Sequence, residues 1–343
     1  MKLIKTEEAV GQVLCHDVTQ IIKDVKKDAV FRKGHIITEE DIPVLLSIGK
    51  ENIYVWENDE SMMHENDAAE VLCRICKGDN ISRGEVKEGK INLSAECDGV
   101  LKIDRDKLKK VNTYGQMMIA TRHGDFPVKK GDALGGTRII PLVIEKEKME
   151  EVETLCAGGP ILNVVPYKEG VKAGIVTTGN EVFHGRIEDT FTPVVREKVE
   201  EFGVEVIAHK ISDDQNEHIE AAVREMIDQG CDMVLCTGGM SVDPDDKTPL
   251  AIRNVCGSVI TYGAPVLPGA MFLLAYYGDK KVPVVGLPGC VMYSRRSIFD
   301  IVLPRIMIGE ILEREDFDRL GEGGLCLNCE ICTFPNCGFG KGI

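Results

Sequence analysis

The chain has 343 residues, 43% hydrophobic and 28% charged, a balance that suits a folded protein with a sizeable core rather than a disordered tail. Lys and Arg number 41 against 56 Asp and Glu, and the resulting net charge of −15 argues against general binding of nucleic acid or an anionic membrane. Pro and Gly break every apolar run before the roughly 18–20 residues of a membrane span, and the opening MKLIKTEEAVGQVL carries acids where a signal peptide is apolar. The expectation is a soluble, cytoplasmic protein.

Residues 1–57 read as a small α+β module. Thr38 and the acids Glu39, Glu40 and Asp41 mark a helix start, Gly49 its stop, and Ile53–Trp56 a strand. Residues 58–70 are polar and read as a linker or surface helix, with His64 exposed in it. From 69 to 145 short apolar runs divided by Gly and charge, such as GEVKEGKINLSAECDGVLKI, predict a β-rich module with hairpin turns. The stretch 145–155 predicts a helix, and Gly158-Gly159-Pro160 a break.

Between 171 and 309 the pattern changes to strand–helix alternation. Strands are expected at Ala173–Thr178, Val204–Ile211, Asp232–Thr237 and Val282–Leu287. Helices are expected at Asp189–Phe202, Asp214–Gln229 and Met292–Ile308. In the second of these, Asp214 and Glu217 have capping-box spacing, Ile219, Ala222, Val223, Met226 and Ile227 share one face, and Gly230 ends the helix. Near-continuous apolar strands between amphipathic helices imply a parallel sheet covered on both faces, a three-layer α/β/α domain.

Three polar glycine loops follow predicted strands: TTGNEV (177–182), TGGMSVDPDDKTP (237–249) and GLPGCVMYSRR (286–296). In open α/β sheets ligands bind at the carboxyl ends of the strands, so the three can converge on one pocket. Paired glycines let backbone N–H groups face a phosphate, and Ser241 adds a hydroxyl. The plainer reading of each loop is a tight turn of structural value only. Glu181, Asp213, Asp243, Asp245 and Asp246 supply carboxylates for parallel N–H donors or for Mg²⁺, or they are a solvated acidic rim.

TTGNEV, ISDD (211–214), CTGGMSVDPDDKTP and GLPGC, in this order and spacing, resemble the molybdopterin-binding domain of the molybdopterin molybdotransferases, the molybdenum insertases. VGQVLCHDVT and FRKGHIITEEDIPVLLSIG are similar to the non-catalytic N-terminal region of that family. The resemblance implies a molybdopterin ligand with a terminal phosphate, insertion of molybdate with Mg²⁺, a homodimer, and a role in molybdenum cofactor biosynthesis. It assigns Thr178, Gly179, Asn180, Glu181, Asp213, Thr237, Gly238, Gly239, Ser241, Asp243, Asp246, Pro288 and Gly289 to the pterin site, with Glu181 and Asp246 as its catalytic acids. Asn180 stands where the family has Asp, and Asp243 where it has Gly. Leu267 and Ala270, in VLPGAM, stand where the family has two lysines. Losing two cations beside an incoming oxyanion removes roughly 1–4 kcal/mol of attraction each, unless Lys247, Arg295 or Arg296 substitutes. The alternative is therefore a non-catalytic cofactor carrier or sensor that delivers to a recipient molybdoenzyme.

The chain has 13 cysteines. Nine are scattered and read as small buried hydrophobes, Cys73 and Cys76 among them although they form a C-x₂-C. The other four, Cys326-x₂-Cys329-x₂-Cys332-x₄-Cys337, crowd a tail at 323–343. Their spacing suits a [4Fe–4S] cluster, with Zn²⁺ the rival and a redox-labile appendage the plainer reading. His16, His35, His123, His184, His209 and His218 are isolated and suggest no metal pairing.

Overall fold

The structure is a computed structural model and describes residues 1–22, 26–55, 59–244 and 246–342. The chain divides into two units, Met1–Glu96 with Ile103–Arg122 and Gly131–Asn163, and Cys97–Lys102 with His123–Lys130 and Val164–Ile343.

In the first unit, Lys2–Lys5 pairs antiparallel with Asn52–Val55, and Val18–Ile22 with Lys26–Phe31. They enclose Leu14, Ile37, Leu45 and Ile53 together with the helix Asp41–Ser47, which ends before Gly49 at a positive φ of 79°. Trp56, expected to end the last strand, lies outside the described residues. A four-stranded antiparallel sheet runs Ile81–Arg83, Lys90–Ala95, Ala133–Ile139, Met117–Thr121. The expected helix near 145–155 is Lys146–Leu155.

The segment expected as a linker or surface helix is a short strand followed by a helix, and that helix packs one face into the core. Met62–His64 pairs antiparallel with Val143–Glu145, and the helix Glu65–Cys76 follows, burying Ala68, Ala69, Leu72, Cys73 and Cys76. His64 is buried: its Nδ1 accepts the Asn66 N–H at 3.1 Å as the helix cap, so its Nε2 donates to the Cys15 carbonyl at 2.9 Å. Burial first, against the pull of that carbonyl, holds the imidazole below its ordinary pKa. Cys73 and Cys76 are core thiols, as expected, and burial pushes Cys76 up to about 12.

The second unit is the α/β/α domain. Its strands are β1 (Lys172–Thr178), β2 (Glu205–Ser212), β3 (Met233–Thr237), β4 (Val259–Tyr262), β5 (Leu273–Tyr277) and β6 (Val282–Leu287), in sheet order β2-β1-β3-β6-β5-β4. The first four in that order run parallel; β5 pairs antiparallel with β6, and β4 antiparallel with β5. The sheet is therefore mixed rather than purely parallel. Alternation explains its two dry faces. Ile175, Leu235, Leu274 and Val285 face α1 (Phe191–Glu200) and α4 (Ile298–Met307). Val176, Val234, Cys236, Leu273 and Val284 face α2 (Asn216–Asp228) and α3 (Thr248–Cys256).

Two helix starts differ from the sequence expectation. α2 begins at Asn216 with no side-chain cap, because Asp214 accepts the Asn180 backbone N–H at 2.9 Å instead. α4 begins at Ile298, capped reciprocally by Ser297 and Asp300. The third loop takes up the preceding residues, with a single 3₁₀ turn at Gly289–Met292.

Candidate functional site at the carboxyl edge of the sheet

The parallel order of β2, β1, β3 and β6 brings the four motif-bearing segments out at one edge, side by side. Thr178 lies opposite Ser212 on β2, Thr177 opposite Thr237 on β3, and Thr237 opposite Leu287 on β6. Residues scattered over more than a hundred positions thus share one rim, which is the geometry the topology of such sheets makes available to a ligand.

Close approach of backbone dictates the glycines of the second loop. Gly238 has φ +83°, and a Cβ there would stand 2.1 Å from the Thr178 carbonyl oxygen; at Gly239, φ +55°, it would stand 2.8 Å from the Thr248 hydroxyl. Both positions require glycine. Thr178 Oγ1 joins the loops, bonding Thr248 Oγ1 at 2.9 Å and the Thr237 carbonyl at 3.2 Å. Among the described residues, the amides of Gly238, Gly239, Met240 and Ser241 find no acceptor in the protein. A rigid turn with unclaimed N–H groups is a ready anion cradle. Tyr262 OH donates to the carbonyls of Met240 and Ser241 at 3.1 and 3.3 Å and fixes the far side of the turn.

The acids are not equivalent. Asp213 is buried and already committed: it accepts from Gln215 N–H and Nε2 at 3.1 Å and meets His218 Nδ1 at 2.9 Å. Burial works to raise its pKa, but the Gln215 N–H and then His218 hold it below the ordinary value. Asp214 is raised instead, by burial first and then by the charges of Glu181, Asp213 and Asp246, against the bond from Asn180. The sequence reading gave Asp214 a capping role and left Asp213 as a site candidate; in the structure neither caps α2, Asp213 being held by Gln215 and His218 and Asp214 by Asn180. Glu181 lies exposed on the helical turn Asn180–Phe183 and Asp246 half-buried ahead of α3. Asp243 is exposed, and its carbonyl accepts the Asp246 N–H at 2.9 Å; Asp245 lies outside the described residues. In the third loop Pro288 is buried, whereas Gly289 is exposed with open space around its missing Cβ, so packing does not require glycine there.

Sequence reasoning missed a polar knot behind this rim. Thr177 Oγ1 lies 3.0 Å from Asp189 Oδ2, 3.0 Å from Thr192 Oγ1 and 3.1 Å from His209 Nε2. Asp189 also accepts the N–H groups of Phe191 and Thr192, which opens α1. Burial opposes ionisation of Asp189, but the Thr192, Thr177 and Phe191 donors win and hold its pKa low. The available signal was polar residues on otherwise apolar strands, Thr177 on β1 and His209 on β2; the pairing of β1 with β2 was needed to read it.

None of the three substitute cations is unengaged. Lys247 Nζ donates to the Pro244 carbonyl, Arg296 pairs with Asp300 at 2.8 Å, and Arg295 donates to the Glu330 carbonyl at 2.6 Å. Leu267 and Ala270 are exposed.

Residues 174–307 match the family described as "probable molybdopterin binding domain", and residues 3–57 match a "domain of unknown function (DUF8806)". Over 95 residues the chain is 37% identical to a CinA-like protein of Mycobacterium avium, covering 28% of this chain and 22% of that protein. The match thus spans about a fifth of the length of that curated relative. Among solved structures, the molybdopterin biosynthesis enzyme MoaB of Thermus thermophilus is 24% identical, with 41% of this chain and 98% of that one covered and a TM-score of 0.36. The tungsten cofactor synthesizing protein MoaB of Pyrococcus furiosus is 21% identical, with 41% and 92% covered and a TM-score of 0.32. The stretch that carries the loops is therefore similar to a molybdopterin-binding domain. Among the described residues no helix is long and apolar enough to cross a membrane.

Proposed function

We propose that the chain binds a molybdopterin-type pterin phosphate along this edge and serves molybdenum cofactor biosynthesis by holding the ligand rather than by inserting metal into it. The observation that carries the reading is the Gly238–Ser241 turn, whose N–H groups find no acceptor among the described residues, beside the carboxyl ends of β1, β3 and β6. These amides and the Ser241 hydroxyl would take the phosphate, and Glu181 and Asp246 would accept the paired N–H groups of the pterin ring. Holding is preferred to insertion because no unengaged cation stands at the positions of Leu267, Ala270, Lys247, Arg295 or Arg296 to draw in an oxyanion.

The second reading, insertion of molybdate, is supported by the grouping of Glu181, Asp214 and Asp246. Among the described residues no three His, Cys, Asp or Glu side chains are placed to hold a metal ion. Mg²⁺ commonly binds through one or two carboxylates plus substrate phosphates, so these acids would meet it only with the ligand in place. Calorimetric titration of the full chain with molybdopterin, followed by incubation with molybdate and Mg²⁺, separates the readings. Binding without conversion is expected; conversion favours insertion, and absence of binding overturns both.

A further inference from the structure

The cysteine tail is not an appendage. Leu267 N–H donates to the Gly324 carbonyl at 2.8 Å, and Cys326 N–H returns to the Leu267 carbonyl at 2.7 Å. Gly340 N–H closes on the Gly323 carbonyl at 2.9 Å, so the tail folds back on its own start. Phe339 is buried in the core with α4, and Phe334 lies between Phe126, edge-on at 5.9 Å, and Phe339, tilted at 6.1 Å. At Gly340, φ +75°, a Cβ would stand 2.5 Å from Ile301 Cδ1.

This docking creates a cavity of about 520 Å³, and Cys326, Cys329, Cys332 and Cys337 all line it. All four are free. The space far exceeds what one ion needs, given that a water molecule's share of volume is about 30 Å³. Zinc would also require the sulfurs to converge at about 2.3 Å from one point, and among the described residues no three ligand side chains do so. Arg295 and Arg296 line one side of the cavity, Arg296 paired with Asp300 and Glu201. Arg295 donates to the carbonyls of Cys329 and Glu330, and Arg296 lies 5.4 Å over the Phe334 ring.

The geometry points to a [4Fe–4S] cluster held in this cavity by Cys326, Cys329, Cys332 and Cys337. Two ferrous and two ferric ions with four sulfides make a core of charge +2; the four thiols each lose a proton and bond one iron, leaving a dianion with no net electron transfer in assembly. Cys329 and Cys332 are exposed, so the cluster sits at the surface, open to electron exchange and to oxidative loss.

The test does not rest on the pterin reading. The full chain is purified without oxygen, supplied with ferrous and ferric iron and sulfide, and assayed for iron, acid-labile sulfide and zinc per chain. About four irons and four sulfides are expected, with a broad visible absorption that dithionite bleaches. Cys329→Ala and Cys332→Ala, chosen because their side chains are exposed and bear no core packing, should each lower the iron several-fold while circular dichroism stays unchanged. Cys97→Ala, outside the cavity, should keep full iron. One zinc per chain without sulfide, no stoichiometric metal, or iron retained equally in the tail variants overturns the assignment.

Discussion

Single residues at the rim separate into those that shape it and those that face a ligand. Gly238 shapes it. An alanine there combines left-handed strain with a Cβ 2.1 Å from the Thr178 carbonyl, so Gly238→Ala should cost about 2–4 kcal/mol. A denaturant midpoint unchanged from wild type would contradict the described turn. Asp246 lies half-buried ahead of α3, and Asp246→Ala should leave the fold intact while weakening molybdopterin binding by about 1–3 kcal/mol; equal calorimetric affinities would remove Asp246 from the site. Glycine loops at strand ends could be read from the sequence because their residue types are rare outside such roles. The division of labour between Asp213 and Asp214 could not be, since it turns on which carboxylate meets Asn180 across the β1–β2 gap and which meets His218.

Among the elements, the ones legible from periodicity were those stabilised by their own neighbours in sequence. β6 falls on Val282–Leu287 as expected, and α2 ends before Gly230, whose φ is +84°. The elements that were missed or misplaced depend on distant partners. β4 and β5 are short and owe their place to antiparallel pairing, β5 with β6 and β4 with β5. Met62–His64 is a strand only because Val143–Glu145 lies beside it, and that pairing buries His64 as the cap of Glu65–Cys76. A pH dependence follows. The folded pKa of His64 lies below its unfolded value of about 6.5, so the unfolded chain binds the extra proton first. Stability contributed by the neutral ring is present above about pH 6.5 and is lost as pH falls below it. Thermal melts from pH 7.5 to 5 should show the first unit of wild type losing stability more steeply than His64→Asn, whose side-chain oxygen can cap without titrating. Parallel slopes would show that His64 does not carry the effect.

For the molecule as a whole, composition gives the net charge of −15, but where that charge sits required the fold. Glu181, Asp214 and Asp246 gather at the mouth where a phosphate-bearing ligand is proposed to arrive. The consequence is one of encounter kinetics. A bare anionic ligand approaches against the field of the mouth, and its association should quicken on adding salt as the screening length falls from about 30 Å at 0.01 M to about 10 Å at 0.1 M. Stopped-flow binding should show the rate constant rising several-fold across that range, opposite to the usual steering of anions into basic clefts. A rate that falls instead would mean that the ligand arrives as a cation complex, drawn in by the same acids that repel it bare.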